Sequence, residues 1–287
     1  MKIGKAYHKR ILEGADAFYE NYCEEFDQES AEGSLKTADD MKEVLATYGL
    51  PQSGTKAVLK ERIKSVAPSF QFYDDLYDMW YQDTAKDKIV LNADLIARIE
   101  VAAANIEKHP HLSKCFIGGY PEVSVIWEEE GITFKSRFDY LKPRAVIDLK
   151  TFDNSMKKPI DRAIYYAMAS NKYHIQAAFY MNAVQKAVEM ARAGKVTGIF
   201  DQDWIKKLCT TEQHDFYFVF QQKGLASVAR GKKFGRGLMY GCGMQAVEDA
   251  IKIFKHNLAK YGSDPWVDDT SIDEFDDSQF PVWSTEL

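Results

Sequence analysis

One stretch, residues 135–150, restricts what this chain can fold into more than any other: Lys-Ser-Arg-Phe-Asp-Tyr-Leu-Lys-Pro-Arg-Ala-Val-Ile-Asp-Leu-Lys. From 132 to 139, Ile132, Phe134, Ser136 and Phe138 alternate with Thr133, Lys135, Arg137 and Asp139, the two-residue period of a β-strand. Pro143 and Arg144 read as the turn. Residues 145–151 then form a second, β-branched and apolar run, broken only at Asp148 and Lys150, whose separation puts both on one face. Charges inside an apolar strand must be paired or bound to a metal, since burying them alone costs several kcal/mol. The plain alternative is an Asp148–Lys150 ion pair with no further role.

Phosphodiester hydrolysis needs hard oxygen ligands for a divalent cation, a polarised water and a positive group near the transition-state oxygens. Asp139, Asp148 and Lys150 supply that set. In this reading the two carboxylates bridge Mg2+, and Lys150 orients the water or offsets charge on the transition state. The Leu149 carbonyl is a further candidate ligand.

The spacing Asp139…Asp148-Leu149-Lys150-Thr151 resembles the PD-(D/E)xK nuclease signature. Within that superfamily the chain is most similar to the RecE-like branch, the exonuclease VIII type of phage and prophage recombination nucleases. Gly4-Lys5-Ala6-Tyr7-His8 with Leu12-Glu13 resembles that branch's amino-terminal His motif, and Pro121-Glu122-Val123-Ser124-Val125 its next strand. Residues 173–180, Tyr-His-Ile-Gln-Ala-Ala-Phe-Tyr, resemble the helix whose Gln and Tyr face the active site. The resemblance implies an α/β, restriction-endonuclease-like core with a central mixed sheet flanked by helices, built from residues 1–26 and 70–260. It implies His8 as a metal ligand or a positioner of one, and Mg2+ as cofactor with Mn2+ able to substitute. It implies digestion of linear double-stranded DNA from the 5′ end, leaving 3′ overhangs for a single-strand annealing partner, by a ring-forming homo-oligomer. A restriction-like or structure-selective endonuclease, and a catalytically silent DNA-binding protein, are the rival readings.

Each of these residues also has a plain reading. His8 sits in an amphipathic helix, where a lone His is commonly structural. Glu122 reads equally as an exposed strand-edge acid. Gln176 and Tyr180 share a helix face four residues apart; Tyr180 suits core packing, whereas a buried Gln176 amide needs partners for both ends. Both are expected to support the site without proton chemistry.

Residues 34–66 depart from the family pattern. A helix over 37–47, a break at Gly49-Leu50-Pro51 and a second helix capped by Thr55 resemble a SAP module, a helix-extended-helix unit that often holds DNA. Gly54 would allow the tight bend, and Lys56 and Lys60 would meet phosphates; a mere strut is the alternative. Lys223, Arg230, Lys232, Lys233 and Arg236, interleaved with glycines, read as a loop able to approach phosphates, or as a plain connector before a helix over 244–258. Lys232, Lys233 and Arg236, with Arg137, complete the DNA-binding candidates.

The net charge of −6 is unusual for a DNA enzyme, but the acids gather in residues 264–287, read as a solvated tail or a contact for a basic partner. His109-Pro110-His111 reads as a helix stop and Glu128-Glu129-Glu130-Gly131 as a hairpin turn. The four cysteines are too scattered for a zinc or iron–sulfur site, and no apolar run of about 18 residues or leader pattern is seen. A cytoplasmic protein of a bacterium or phage-infected cell, without membrane contact, is expected.

Overall fold

The two alternating runs pair as expected. In a computed structural model describing residues 2–224, 227–267, 272 and 274–281, β4 (Ile132–Lys142) turns at Pro143-Arg144 into β5 (Ala145–Phe152). With β3 (Tyr120–Glu129), β6 (Asp215–Gln222) and β7 (Ala229–Phe234) they form a five-stranded sheet in the order β3-β4-β5-β6-β7. Its pairs are antiparallel except β5–β6, which is parallel. A parallel neighbour requires a long crossover. Here it carries three helices: α6 (Ile160–Ser170), α7 (Tyr173–Arg192) and α8 (Gln202–Thr210).

Both faces of the sheet are covered. On one, Val146, Phe138, Phe216, Phe218 and Phe220 pack with Ala177, Met181, Val184 and Val188 of α7. On the other, Ile147, Leu149 and Val219 pack against Leu12 of α1 (Lys2–Asn21) and Ile106 of α5 (Ala93–Lys108). The mixed α/β core is therefore of the restriction-endonuclease-like kind. A small parallel pair, β1 (Tyr22–Glu24) with β2 (Ile89–Leu91), lies outside it. Arg10, nearly buried, fastens α1 to α5 through Glu100 (2.9 Å) and Glu107 (3.0 Å), which fixes the helix that carries His8.

α9 (Leu238–Tyr261) packs on α7 at Gly243, where a Cβ would stand 2.5 Å from the His174 carbonyl oxygen and 2.8 Å from Ala178 Cβ. Backbone cannot yield as a side-chain tip does. Gly243→Ala is expected to destabilise the protein by about 1–3 kcal/mol, the cost of overpacking outweighing alanine's better helix propensity. Urea denaturation would show it as a lower midpoint at unchanged slope.

Residues 34–66 form α2 (Ala38–Thr47) and α3 (Lys56–Val66) around a separate cluster of Met41, Leu45, Leu59 and Ile63, joined by Leu35, Ala67 and Phe72. Thr37 closes a capping box with Asp40, but Thr55 precedes α3 without a side-chain cap bond. The expected phosphate contacts of Lys56 and Lys60 meet a competitor. Lys56 lies 2.6 Å from Asp74, and Lys60 is paired with Asp75, both acids in the first turn of α4 (Tyr73–Trp80). These ammonium groups tie the unit to the following helix, as a strut would.

The basic, glycine-containing segment departs from the expected loop. Most of it is β7, an edge strand laddered on one side to β6, and not the loop expected. Gly231 sits opposite Val219 because Leu112 packs over it; a Cβ would be 2.8 Å from Leu112 Cδ2. Lys232 pairs with Asp161 (2.6 Å), Lys233 with Asp215 (2.8 Å), and Arg236 reaches the Tyr240 hydroxyl (3.3 Å). The helix that follows begins at Leu238, earlier than expected. His109 Nδ1 accepts the N–H groups of His111 and Leu112, which is a helix stop, and Glu130-Gly131 form the β3–β4 turn. Of the acidic tail, Asp268, Asp269, Asp273 and residues 282–287 lie outside the described residues; Glu274, Asp276 and Asp277 are exposed. Among the described residues no helix is long and apolar enough to cross a membrane.

Candidate active site

The site lies where two paired strands part. β4 and β5 are laddered only from Tyr140–Ile147 to Lys142–Ala145; beyond that they diverge and open a cleft between Asp139 and Leu149. Divergence leaves the Leu149 backbone without a strand partner on that side. Asp139 Oδ2 takes its place, accepting the Leu149 N–H at 2.7 Å. A strand residue directs its N–H and C=O to the same side, so the Leu149 carbonyl also faces the cleft.

His8, Glu122 and Asp139 converge, with one ligand atom from each lying within 4.8 Å of the others. His8 Nδ1 stands 3.8 Å from Asp139 Oδ2. They line a cavity of about 650 Å³ together with Gly4, Lys5, Arg137 and Tyr180. Glu122 holds a left-handed backbone (φ +56) within β3 and lies level with Asp139 in the β3–β4 register, where it makes no ladder pair of its own. A non-glycine residue is held there only if its surroundings compel it. Arg137 pairs with the Glu122 carboxylate from the solvent side. Glu122→Gly is expected to gain about 1 kcal/mol of stability by releasing that strain, because the lost exposed ion pair is worth little. It should weaken divalent-metal binding in the same protein; thermal melts with and without Mn2+ check both halves.

Asp148 stands apart from that trio. It is fully buried; Oδ1 accepts from Gln176 Nε2 at 3.0 Å, and Oδ2 lies 2.5 Å from Lys150 Nζ. The second contact is a close ion pair with the ammonium, so both Asp148 oxygens are engaged. Gln176 therefore has the partner a buried amide needs. Tyr180 serves both readings: its ring meets Phe138 edge-on at 5.4 Å, and its hydroxyl is hydrogen-bonded to Gln176. Burial keeps that hydroxyl protonated, consistent with a supporting role. Sequence reasoning missed Tyr173, whose ring centroid lies 5.0 Å from Lys150 Nζ and limits where the ammonium can move.

The electrostatics are those of a cation site. Burial pushes Asp139 up to about 6, against the pull of Lys150 and the Leu149 N–H. Burial and the Asp139 charge push Asp148 up to about 7. Burial works to lower Lys150, but the Asp148 and Asp139 charges outweigh it and hold it above its ordinary value. Burial lowers His8, which stays neutral and able to ligate. The clustered oxygens of Glu122 and Asp139 and a neutral imidazole fit a divalent cation held mainly by oxygen. His8, Glu122 and Asp139 would hold it, with the Leu149 carbonyl directed to the same side.

Fold and site together define a nuclease domain of the PD-(D/E)xK type. The chain belongs to the family described as PDDEXK-like domain of unknown function (DUF3799), whose model matches residues 1–216. No curated protein matches. Among solved structures, one described as "Putative exonuclease" from Eubacterium rectale is similar over 82% of this chain and 82% of its own, at 16% identity and a TM-score of 0.36.

Proposed function

We propose that the protein is a Mg2+-dependent DNA exonuclease of the RecE-like type, acting 5′ to 3′ on linear duplex and leaving 3′ overhangs for strand annealing. The observation that carries the nuclease chemistry is the convergence of His8, Glu122 and Asp139 where β4 and β5 part, beside the buried Asp148–Lys150 pair. The RecE-like type, the polarity, the annealing partner and a ring-shaped homo-oligomer rest on the sequence blocks at His8, Glu122 and Gln176–Tyr180.

A divalent cation in this site would acidify a water and offset charge on the scissile phosphate. The chain's own residues do the rest. Asp139, fixed by the Leu149 N–H, and Glu122, fixed by its strained backbone, hold their oxygens in place before substrate arrives. Lys150 is kept charged by Asp148 and lies against the Tyr173 ring, and it can steady the attacking water or a non-bridging phosphate oxygen. Gln176 holds the other Asp148 oxygen and so sets the angle of the pair. Arg137, more than half exposed at the mouth, is the DNA contact nearest the acids.

Digestion of a 5′-end-labelled linear duplex beside a closed circular plasmid tests the proposal, with Mg2+ and with Ca2+. Release of label from the linear DNA in Mg2+, with the circle intact, is the expected result. Cutting of the circle would make it an endonuclease, and cutting of neither would favour a binding protein on the same fold.

A further inference from the structure

Beyond Lys150, the residues that end β5 line a second cavity, of about 370 Å³. Its wall begins at Thr151, next to Lys150 in the chain, and includes Tyr173, the ring that Lys150 lies against. The volume is within the range of sites that hold a small ligand, roughly 300–1,000 Å³. The loop that closes it is ordered by Asn154, which donates to the Lys158 carbonyl (2.8 Å) and accepts the Lys158 N–H (3.0 Å).

What lines the rim is unusual for a surface. α6 buries Ala163 and Ile164, yet presents two adjacent tyrosines outward, Tyr165 at 67% and Tyr166 at 48% exposure. Cations surround them. Lys158 Nζ is 3.8 Å from the Tyr166 centroid, Arg162 Cζ is 5.8 Å from it, and Lys232 Nζ is 5.8 Å from the Tyr165 centroid. Lys232 is steadied by Asp161, and Lys223, at the opposite wall, by Asp153 at 2.6 Å. Among the described residues no carboxylate pairs with Lys158 or Arg162, so their charge is open to a phosphate.

Exposed aromatic rings with two unpaired cations beside one of them, Lys158 and Arg162 at Tyr166, are the parts of a single-strand platform: bases stack on the rings while the backbone meets the cations. A duplex does not fit this chemistry, because its bases are already stacked on one another. We infer that the α6 tyrosines and the cavity behind Lys150 form a binding track for unpaired DNA, with the nucleotide next to the scissile phosphate seated by Tyr166 and Lys158. The track rests on the nuclease reading for its substrate, and implies that the strand being cut is separated from its complement at the site.

Fluorescence anisotropy with a labelled twelve-residue oligothymidylate, in Ca2+, tests it on the full chain. Tyr166→Ala is expected to weaken binding about tenfold, and Tyr166→Phe, which keeps a ring to stack, to restore it. Lys158→Ala should weaken binding and make it less salt-dependent. Unchanged affinity in Tyr166→Ala, or failure of the Phe variant to restore it, would overturn the track. Cleavage of linear duplex by the wild type, run in parallel, separates the two claims. If the wild type cuts duplex while Tyr166→Ala binds normally, the track alone falls. If the wild type neither binds nor cuts DNA, the nuclease reading falls and takes the track with it.

Discussion

Lys150→Ala is expected to lower the rate of DNA cleavage by about two to three decades while leaving DNA affinity nearly unchanged. One preorganised charge at the reacting phosphate is commonly worth about 3–4 kcal/mol in the transition state and far less in the ground state. The structure adds a complication that the sequence does not show. Lys150 is also the cation partner of Asp148, which is fully buried, and removing one member of a buried pair normally costs about 3–5 kcal/mol. Here Asp148 has an escape. Its pKa already lies at about 7, and without the lysine it simply takes up a proton at neutral pH. The variant should therefore fold, with Gln176 still holding Oδ1. Single-turnover cleavage and anisotropy, measured on the same preparation, would separate the rate from the binding. Equal loss of both would mean that Lys150 acts through structure.

The second large effect concerns pH. Asp139 and Asp148 have folded pKa values of about 6 and about 7 against an ordinary 3.8. A carboxyl group raised in this way makes the folded state take up more protons than the unfolded one. Its contribution is fully present below about pH 4 and is lost as the pH climbs through 6 and 7. His8 and His214, both lowered by burial, act in the opposite sense between their folded values and 6.5, so the bare melting curve mixes the two. Asp139→Asn isolates the acid. The amide oxygen can still accept the Leu149 N–H, but the buried charge is gone. In the metal-free protein at pH 8 this variant is expected to be more stable than the wild type by about 1–3 kcal/mol, each pKa unit being worth about 1.4 kcal/mol. The advantage should vanish at pH 5. Mn2+ should raise the wild-type Tm far more at pH 8 than at pH 5, where protons occupy the ligand oxygens, and should raise that of Asp139→Asn little at either.

How much of this was legible in the chain depends on the range of the interactions involved. The β4–β5 hairpin, the turn at Pro143-Arg144 and the shared face of Asp148 and Lys150 follow from a two-residue period, which is local. α7 carries Gln176 and Tyr180 on one face for the same reason. β7 was not legible, because Gly231 and the flanking cations look like a loop until Leu112 is seen packing over the glycine. The same limit applies to Lys56 and Lys60. Their spacing suits phosphate, but the partners that claim them, Asp74 and Asp75, lie on another helix. The separation of β4 from β5, which opens the site and turns the Leu149 carbonyl toward it, is tertiary and leaves no mark in residue order. Nor does the φ of +56 at Glu122, which a sequence shows only as an acid in a strand.

The central claim is that His8, Glu122 and Asp139 gather a divalent cation beside the Asp148–Lys150 pair. Electron paramagnetic resonance of Mn2+ at pH 8, with a short phosphorothioate duplex present, tests it most directly. The account predicts tight Mn2+ binding by the wild type, displacement by Mg2+, and at least about tenfold weaker binding in Asp139→Asn. Mn2+ bound equally well by the wild type and the variant would place the metal elsewhere and contradict the account.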